Sequence, residues 1–531
     1  MGERETSSSP WAPLAQPAFR LLWPAWFAAN TCMWMNDVAA AWMMTTLAAS
    51  PVMVALVQSA STLPVFLLGV PSGALADILD RRRYFIATQF WVAAVAVVLA
   101  IGTLADAIQA PLLLALTFAN GIGLAMRWPT FAAIVPEIVP RPQLPAALAL
   151  NSIAMNASRI VGPVVAGALL AAAGSTWVFV LNAVLSVAAG LAIMRWRREP
   201  KASALPGERF VGAIRVGIAY VRQSPRMHTL MLRVAVFFLQ STALLALLPL
   251  VARTLPDGGA GTYTLLLAAM GAGAIAAGLV LPRLRGPAQP DRVMRDGTLV
   301  HAAASVAVAL APSLWVALPA MVAAGMAWLA VANTLTVAAQ LALPDWVRAR
   351  GMSIYQMALM GGSAAGAALW GAVASVSDVR TSLLVASAFA LALAVVLRRF
   401  AIGSQPTPDL TPAHAWAEPV TATPIAPDAG PVLTTIRYQI DPARSGEFTA
   451  LMQESRASRL RHGVLVWELF RDTSQNGCYI EYILEDSWAD HLRRFERMTG
   501  TEVELRARKA AFHIGSEPPL VTRYVAEAVV G

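Results

Sequence analysis

Apolar residues dominate the first 400 positions in runs of about twenty, the length that crosses a hydrocarbon core; short polar or turn-forming breaks separate the runs. The pattern predicts about twelve helical spans, with approximate limits 21–48, 52–75, 85–105, 111–135, 147–172, 176–195, 228–252, 262–282, 294–312, 314–339, 351–374 and 381–398. Breaks such as Ala49-Ser50-Pro51, Gly174-Ser175 and Ala311-Pro312-Ser313 are turn-like, so a helix ends there and another starts. A longer polar stretch from Trp196 to Met227 divides the spans six and six. Within it Phe210, Ile214, Ile218 and Val221 fall at helical spacing, with Arg209, Arg215 and Arg222 on other faces. That spacing predicts an amphipathic helix over 208–222 lying on a membrane surface.

Beyond Arg399 the pattern changes. Residues 401–431 are proline-rich and predict a semi-rigid linker. Strands follow at 432–440, 464–471, 478–485 and 519–526, with helices at about 442–458, 487–498 and 501–513. This is the β-α-β-β-α-β order of a ferredoxin-like domain. The fold class is therefore an all-α polytopic membrane protein in two six-helix halves, followed by a small soluble α+β domain. Its expected boundaries are 1–195, 196–227, 228–400, 401–431 and 432–531.

Charge gives the arrangement an orientation. With an inside N-terminus, the inside loops hold Arg81, Arg82, Arg83, Arg141, the arginines between Arg197 and Arg226, Arg283, Arg285, Arg292, Arg295, Arg348 and Arg350. Arg398 and Arg399 follow the last span on the same side, while the outside loops offer only Arg253 and Arg380. Positive charge stays on the cytoplasmic side of short loops, so both termini and the tail are expected in the cytoplasm. The net charge of +9 then reflects topology, and nucleic acid drops out as a partner. At 57% hydrophobic and 13% charged, against about 25% charged in soluble domains, the chain has too little polar surface to be soluble throughout. Cys32 and Cys478 lie far apart and suggest neither a disulfide nor a metal site, and no cofactor is expected. The first twenty residues lack a basic stretch followed by an apolar core, so no cleaved signal peptide is expected. No G-x-x-x-x-G-K-[ST] loop occurs, which argues against ATP as the energy source.

Residues 73–83, GALADILDRRR, place Gly73, Asp77 and Arg81-Arg82-Arg83 between spans two and three. A small residue lets helices approach closely, and an acid beside arginines can brace one of two conformations. The stretch resembles the G-x-L-A-D-x-x-G-R-[RK] loop of the major facilitator superfamily, with Asp80 where that pattern has glycine. GLVLPRLR at 278–285 is a weak second copy in the other half. In span five, Gly162, Pro163 and Gly167 resemble the G-x-x-x-G-P-x-x-G-G motif of drug:proton antiporters, with Ser158 replacing the leading glycine. The whole chain looks like the transmembrane-secretion-effector branch, similar to enterobactin exporters. The resemblance implies proton-driven export of a small molecule, a siderophore or drug-like compound, by two halves rocking about a central cavity.

Ionisable groups within spans are costly and usually face a cavity or a partner. Asp37 in span one is the candidate proton carrier. Arg127 in span four and Arg159 in span five are its natural counter-charges, or contacts for an anionic substrate. His301, near the start of span nine, reads as interfacial. Asn30, Trp34, Asn120, Trp128 and Asn333 are candidate cavity-lining residues, a set suited to a bulky, partly apolar solute.

In the tail, WELFRD and YIEYILEDSWADHLRRFERMT resemble the antibiotic-biosynthesis-monooxygenase-like domains. Those domains commonly pair through their sheets into dimers, and some are oxygenases or bind haem. Trp467, Trp488, His491 and His513 are the residues that such chemistry would use; core packing is the alternative for them. A dimerising or regulatory module is the reading preferred here over a catalytic one. The expected partners are a small-molecule substrate, the proton gradient, the lipid bilayer and a second copy of the chain through its tail.

Overall fold

The computed structural model describes residues 11–48, 50–196, 210–256, 258–284, 290–400, 409–410, 413, 419 and 421–527. It divides into two compact units: 1–206, 230–338 and 353–403 in the first; 207–229, 339–352 and 404–531 in the second. Most of the proline-rich linker, the start of the expected amphipathic stretch, and Arg285 of the second loop copy lie outside the described residues.

The first unit is a bundle of long helices. The leading six are α1 (Pro17–Leu47), α2 (Pro51–Ile78), α3 (Arg81–Leu104), α4 (Ala110–Ile138), α5 (Leu144–Ala173) and α6 (Ser175–Arg195). After α7 (Phe210–Arg222) come α8 (Pro225–Thr254), α9 (Ala260–Leu284), α10 (Pro290–Ala309), α11 (Leu314–Leu341), α12 (Asp345–Val376) and α13 (Val379–Val396). Proline in the first turn of α1, α2 and α4 marks their starts, since the proline nitrogen needs no hydrogen-bond partner there. Several helices outrun the apolar windows, α4 reaching Ile138, because helical backbone continues past the hydrophobic stretch.

Among the described residues, ten helices are long and apolar enough to cross a membrane by length and composition. The other two of the expected twelve are α1 and α10. They carry polar residues that the bundle buries: Asn30, Thr31 and Asn36 on α1, His301 and Ser305 on α10. Contact with neighbouring helices, rather than uniform greasiness, keeps them in place. Two glycines show how tightly the helices meet. A β-carbon on Gly273 of α9 would strike the Val322 carbonyl, and one on Gly325 of α11 would strike that of Met270. Small residues of this kind supply the close packing that lipid-immersed helices rely on.

The second unit contains a four-stranded antiparallel sheet of β1 (Val432–Gln439), β2 (Val466–Arg471), β3 (Cys478–Glu485) and β4 (Leu520–Val525), in the order β2-β3-β1-β4. Its helices are α14 (Ser445–Arg461), α15 (Trp488–Glu496) and α16 (Gly500–Ala510). Strand alternation sends Tyr438, Trp467, Tyr479 and Ile483 into a core with Phe448 of α14. On the opposite face Val466, Phe470, Leu520 and Tyr524 stay exposed. α7 belongs to this unit. Arg215 on α7 pairs with Asp486 at 2.9 Å. Trp346 stacks on His462 with ring centroids 5.4 Å apart, and Arg497 lies 4.8 Å over the same indole. Tyr220 of α7 donates its hydroxyl to the Ala342 carbonyl at 3.1 Å.

Candidate functional site

Successive turns of α1 present Asn30, Trp34 and Asp37. The buried Asn30 amide donates to the Trp26 carbonyl of its own helix at 2.9 Å. The Arg159 guanidinium of α5 lies 5.4 Å over the Trp34 ring and 4.6 Å over that of Trp328 on α11. It is thus held between indoles from the first and second sets of six helices. Among the described residues no carboxylate pairs with Arg159, and its buried Nε has no hydrogen-bond partner.

One turn beyond Trp34, Asp37 accepts a hydrogen bond from Ser61 of α2 at 2.9 Å. The expected ion pair is not formed: neither Arg127 nor Arg159 is the counter-charge of Asp37. Arg127, buried in α4, lies 5.7 Å over Trp26, which stacks on Phe131 at 3.9 Å. Both arginines have aromatic faces in place of a carboxylate, and a ring quadrupole attracts a cation without neutralising it. Asn120 is buried on α4 and Asn333 is exposed on α11, while the side chain of Trp128 lies outside those described. His301 is buried among neighbouring helices, its ring edge-on to Phe237 at 6.1 Å between centroids.

The span-five motif explains how Arg159 is placed. A β-carbon on Gly162 would come within 2.5 Å of the Trp34 β-carbon, so only glycine lets α5 meet α1 at this turn. Gly167 faces α9 in the same way, with Thr264 where a β-carbon would go. Pro163 lies inside the helix, buried between these contacts. Ser158, standing for the motif's leading glycine, donates to the Ala154 carbonyl at 2.8 Å and accepts from Thr31 of α1 at 3.3 Å.

At the 73–83 loop, Asp80 caps α3 by accepting from the Arg83 backbone N–H at 2.8 Å. This gives the departure from glycine a local reason. Arg81 pairs with Glu137 of α4 at 2.6 Å, and Arg82 donates to the Met194 carbonyl at the end of α6. The packing of Gly73 and the side chain of Asp77 lie outside the described residues. Glu137 and Ser61 are partners that span-by-span reading misses, since nothing local marks a single acid or serine as facing another helix.

In the tail, fully buried Glu481 accepts from Trp467 Nε1 at 2.9 Å and Ser455 at 3.0 Å, and pairs with Lys509 at 3.2 Å. Burial works against this carboxylate, but Lys509 and Arg459 outweigh it and hold the carboxyl well below its ordinary range. Burial also brings the Lys509 ammonium down to about 8. Trp488 stacks on His491, whose Nδ1 bonds Glu485. His513 Nδ1 accepts from the Gln439 N–H at 3.0 Å. Trp467 and His513 are held by hydrogen bonds within the domain, whereas His491 is bonded through Nδ1 and its buried Nε2 has no partner.

The contacts of Arg127 and Arg159 lie within a bundle of helices long and apolar enough to cross a membrane. Solved transporters share the fold. A bacterial homolog of the human lysosomal transporter Spinster, inward-facing and occupied, superposes with a TM-score of 0.59 at 16% identity over 76% of this chain and 100% of that one. The E. coli fucose:proton symporter gives 0.51 at 17% over 72% and 98%. The chain belongs to the transmembrane secretion effector family of the major facilitator superfamily, whose model matches residues 8–530. It is therefore a multi-pass membrane protein of that superfamily. Among curated relatives, the staphyloferrin A transporter of Staphylococcus aureus is 28% identical over 28% of this chain and 38% of its own length. Macrolide efflux protein A of Enterococcus faecalis is 25% identical over 41% of this chain and 68% of its own. The chain thus spans well under half of the first of these relatives and about two thirds of the second.

Proposed function

We propose that the protein exports a small organic molecule of siderophore-like or drug-like kind from the cytoplasm, driven by the proton gradient, by alternating access. The observation that carries this reading is Arg159, an unneutralised cation clasped by Trp34 and Trp328 from the two sets of helices. A solute with an aromatic or apolar body and an acceptor group would displace one indole face and engage the guanidinium. The two curated relatives, one named for a siderophore and one for macrolide efflux, support the solute class. The span-five motif supports export over uptake. Asp37, held by a serine and no cation, is free to take up and release a proton as its surroundings change. The arginine-rich loops support an inner-membrane orientation with both termini cytoplasmic.

For the tail we propose a dimerising or regulatory module. The exposed apolar residues of its outer sheet face, Phe470 and Tyr524 among them, support pairing with a second copy. The test of the main reading compares extracellular and intracellular metabolites of cells with and without the chain, then follows the identified solute in vesicles. Asp37→Asn should abolish gradient-driven flux while leaving expression intact; unchanged flux rules out the coupling role.

A further inference from the structure

In the first unit, a cleft of about 390 Å³ opens between the start of α8, the start of α10, α11 and the end of α13. Arg233, Arg292, Arg295 and Arg398 converge on it, with Asp291 as the carboxylate in the lining. Arg233 pairs with Asp291 at 2.9 Å and donates to the Leu397 carbonyl at 2.9 Å, and Arg295 pairs with Asp296 at 2.8 Å. Among the described residues Arg292 and Arg398 have no ion-pair partner, so two positive charges are left over. Deeper in, the walls turn apolar, with Phe237, Val331, Leu335 and Leu393.

Two donors in this cleft are unsatisfied. The buried Nε of Arg233 and Nε2 of Gln240 have no hydrogen-bond partner. Gln240 is 4% exposed. It lies seven residues from Arg233 on the same face of α8, roughly 10 Å along the axis. Outside the cleft, Leu232, Leu299, Leu391 and Val395 are exposed on these same helices. In a bundle that spans a bilayer, those positions meet acyl chains.

We propose that this cleft is a binding site for an anionic phospholipid. Its phosphate is held by Arg292, Arg398 and Arg233, an ester carbonyl accepts from Gln240, and an acyl chain lies along Phe237 and Leu335. Basic pockets between membrane helices are suited to anionic headgroups. The apolar depth and the lipid-facing rim select a lipid over a free anion of the same charge. The site lies apart from the Arg159 group and stands whether or not the export reading holds.

The experiment uses the full chain in detergent, with lipid retention read by native mass spectrometry. The probes are phosphatidylglycerol, phosphatidylcholine and inorganic phosphate. The expected result is a phosphatidylglycerol preference that falls by about tenfold in R292Q/R398Q, since each arginine near a headgroup contributes substantially to anionic-lipid attraction. Leu335→Trp, which fills the apolar depth and keeps every arginine, should lose the same preference, and serves if the double variant fails to fold. Phosphate at millimolar concentration should not displace the lipid. Equal retention of the two lipids by the parent chain, an unchanged preference in the variants, or displacement by phosphate overturns the proposal.

Discussion

Arg159 and Trp328, 169 positions apart in the chain, meet with the guanidinium 4.6 Å from the indole centroid. Trp34 takes the other contact at 5.4 Å. A contact from each set of six helices to one cation makes this group sensitive to their relative movement. If the proposed export reading holds, Arg159→Gln lowers the initial transport rate at least tenfold with normal membrane abundance. Arg159→Lys should retain part of the rate, because it keeps the charge but loses the planar stacking surface. Initial-rate assays in vesicles check this, and a Gln variant at parental rate would contradict it.

Gly167 leaves no room for a side chain beside Thr264. Gly167→Val should push α5 from α9 and abolish flux, while Gly167→Ala gives an intermediate loss. Thr264→Gly combined with Gly167→Ala should recover flux, since the space is returned on the other helix. Transport and size-exclusion profiles of the three variants distinguish a transport defect from misfolding.

In the tail, removing Glu481 alone from the buried Glu481–Lys509 pair should destabilise more than removing both. Breaking such a pair costs about 3–5 kcal/mol where a buried charge is left alone, which applies to Lys509 in Glu481→Gln. In Lys509→Met, Arg459 at 3.4 Å still compensates Glu481 and the loss should be smaller. Glu481→Gln and Lys509→Met should each lower the denaturant midpoint of the tail in the full chain, followed by hydrogen exchange of β3 peptides. The double variant should lie above the worse single, and strict additivity would show that the two residues act independently.

Glu485 predicts an acid transition. Burial disfavours its charge, but Arg494, 2.7 Å away, with the His491 hydrogen bond, brings the carboxyl from 4.5 down to about 2. A carboxyl lowered by folding stabilises fully above its unfolded value, and that contribution is lost as pH falls from about 4.5 toward about 2. At roughly 1.4 kcal/mol per pH unit the contribution is about 3 kcal/mol. Glu485→Gln should flatten the loss of tail stability over that window, measured as the denaturant midpoint at several pH values; the same slope in both proteins would refute it.

Much of the fold is legible in the sequence because its causes are local. Runs of apolar residues, proline at helix starts and strand alternation in VLTTIRYQI and CYIEYILE depend only on near neighbours. The helices and the sheet therefore fall close to the expected positions. The site was legible only in part. Asp37, Arg159 and Gly162 stand out because charge or absence of a side chain is unusual in a span. Their partners do not, since Ser61, Trp328 and Glu137 are ordinary residues whose importance comes from the helix they face.

The sequence by itself determined which segments prefer hydrocarbon, which loops carry the arginines, and that a small α+β domain follows. Each of these rests on solvation and local backbone preference. Only the tertiary structure decided that Arg159 faces two indoles and Asp37 a serine, that Asp80 serves as a helix cap, and that His301 is buried. A helix presents residues around its whole circumference, and which side meets which neighbour is set by packing many residues away.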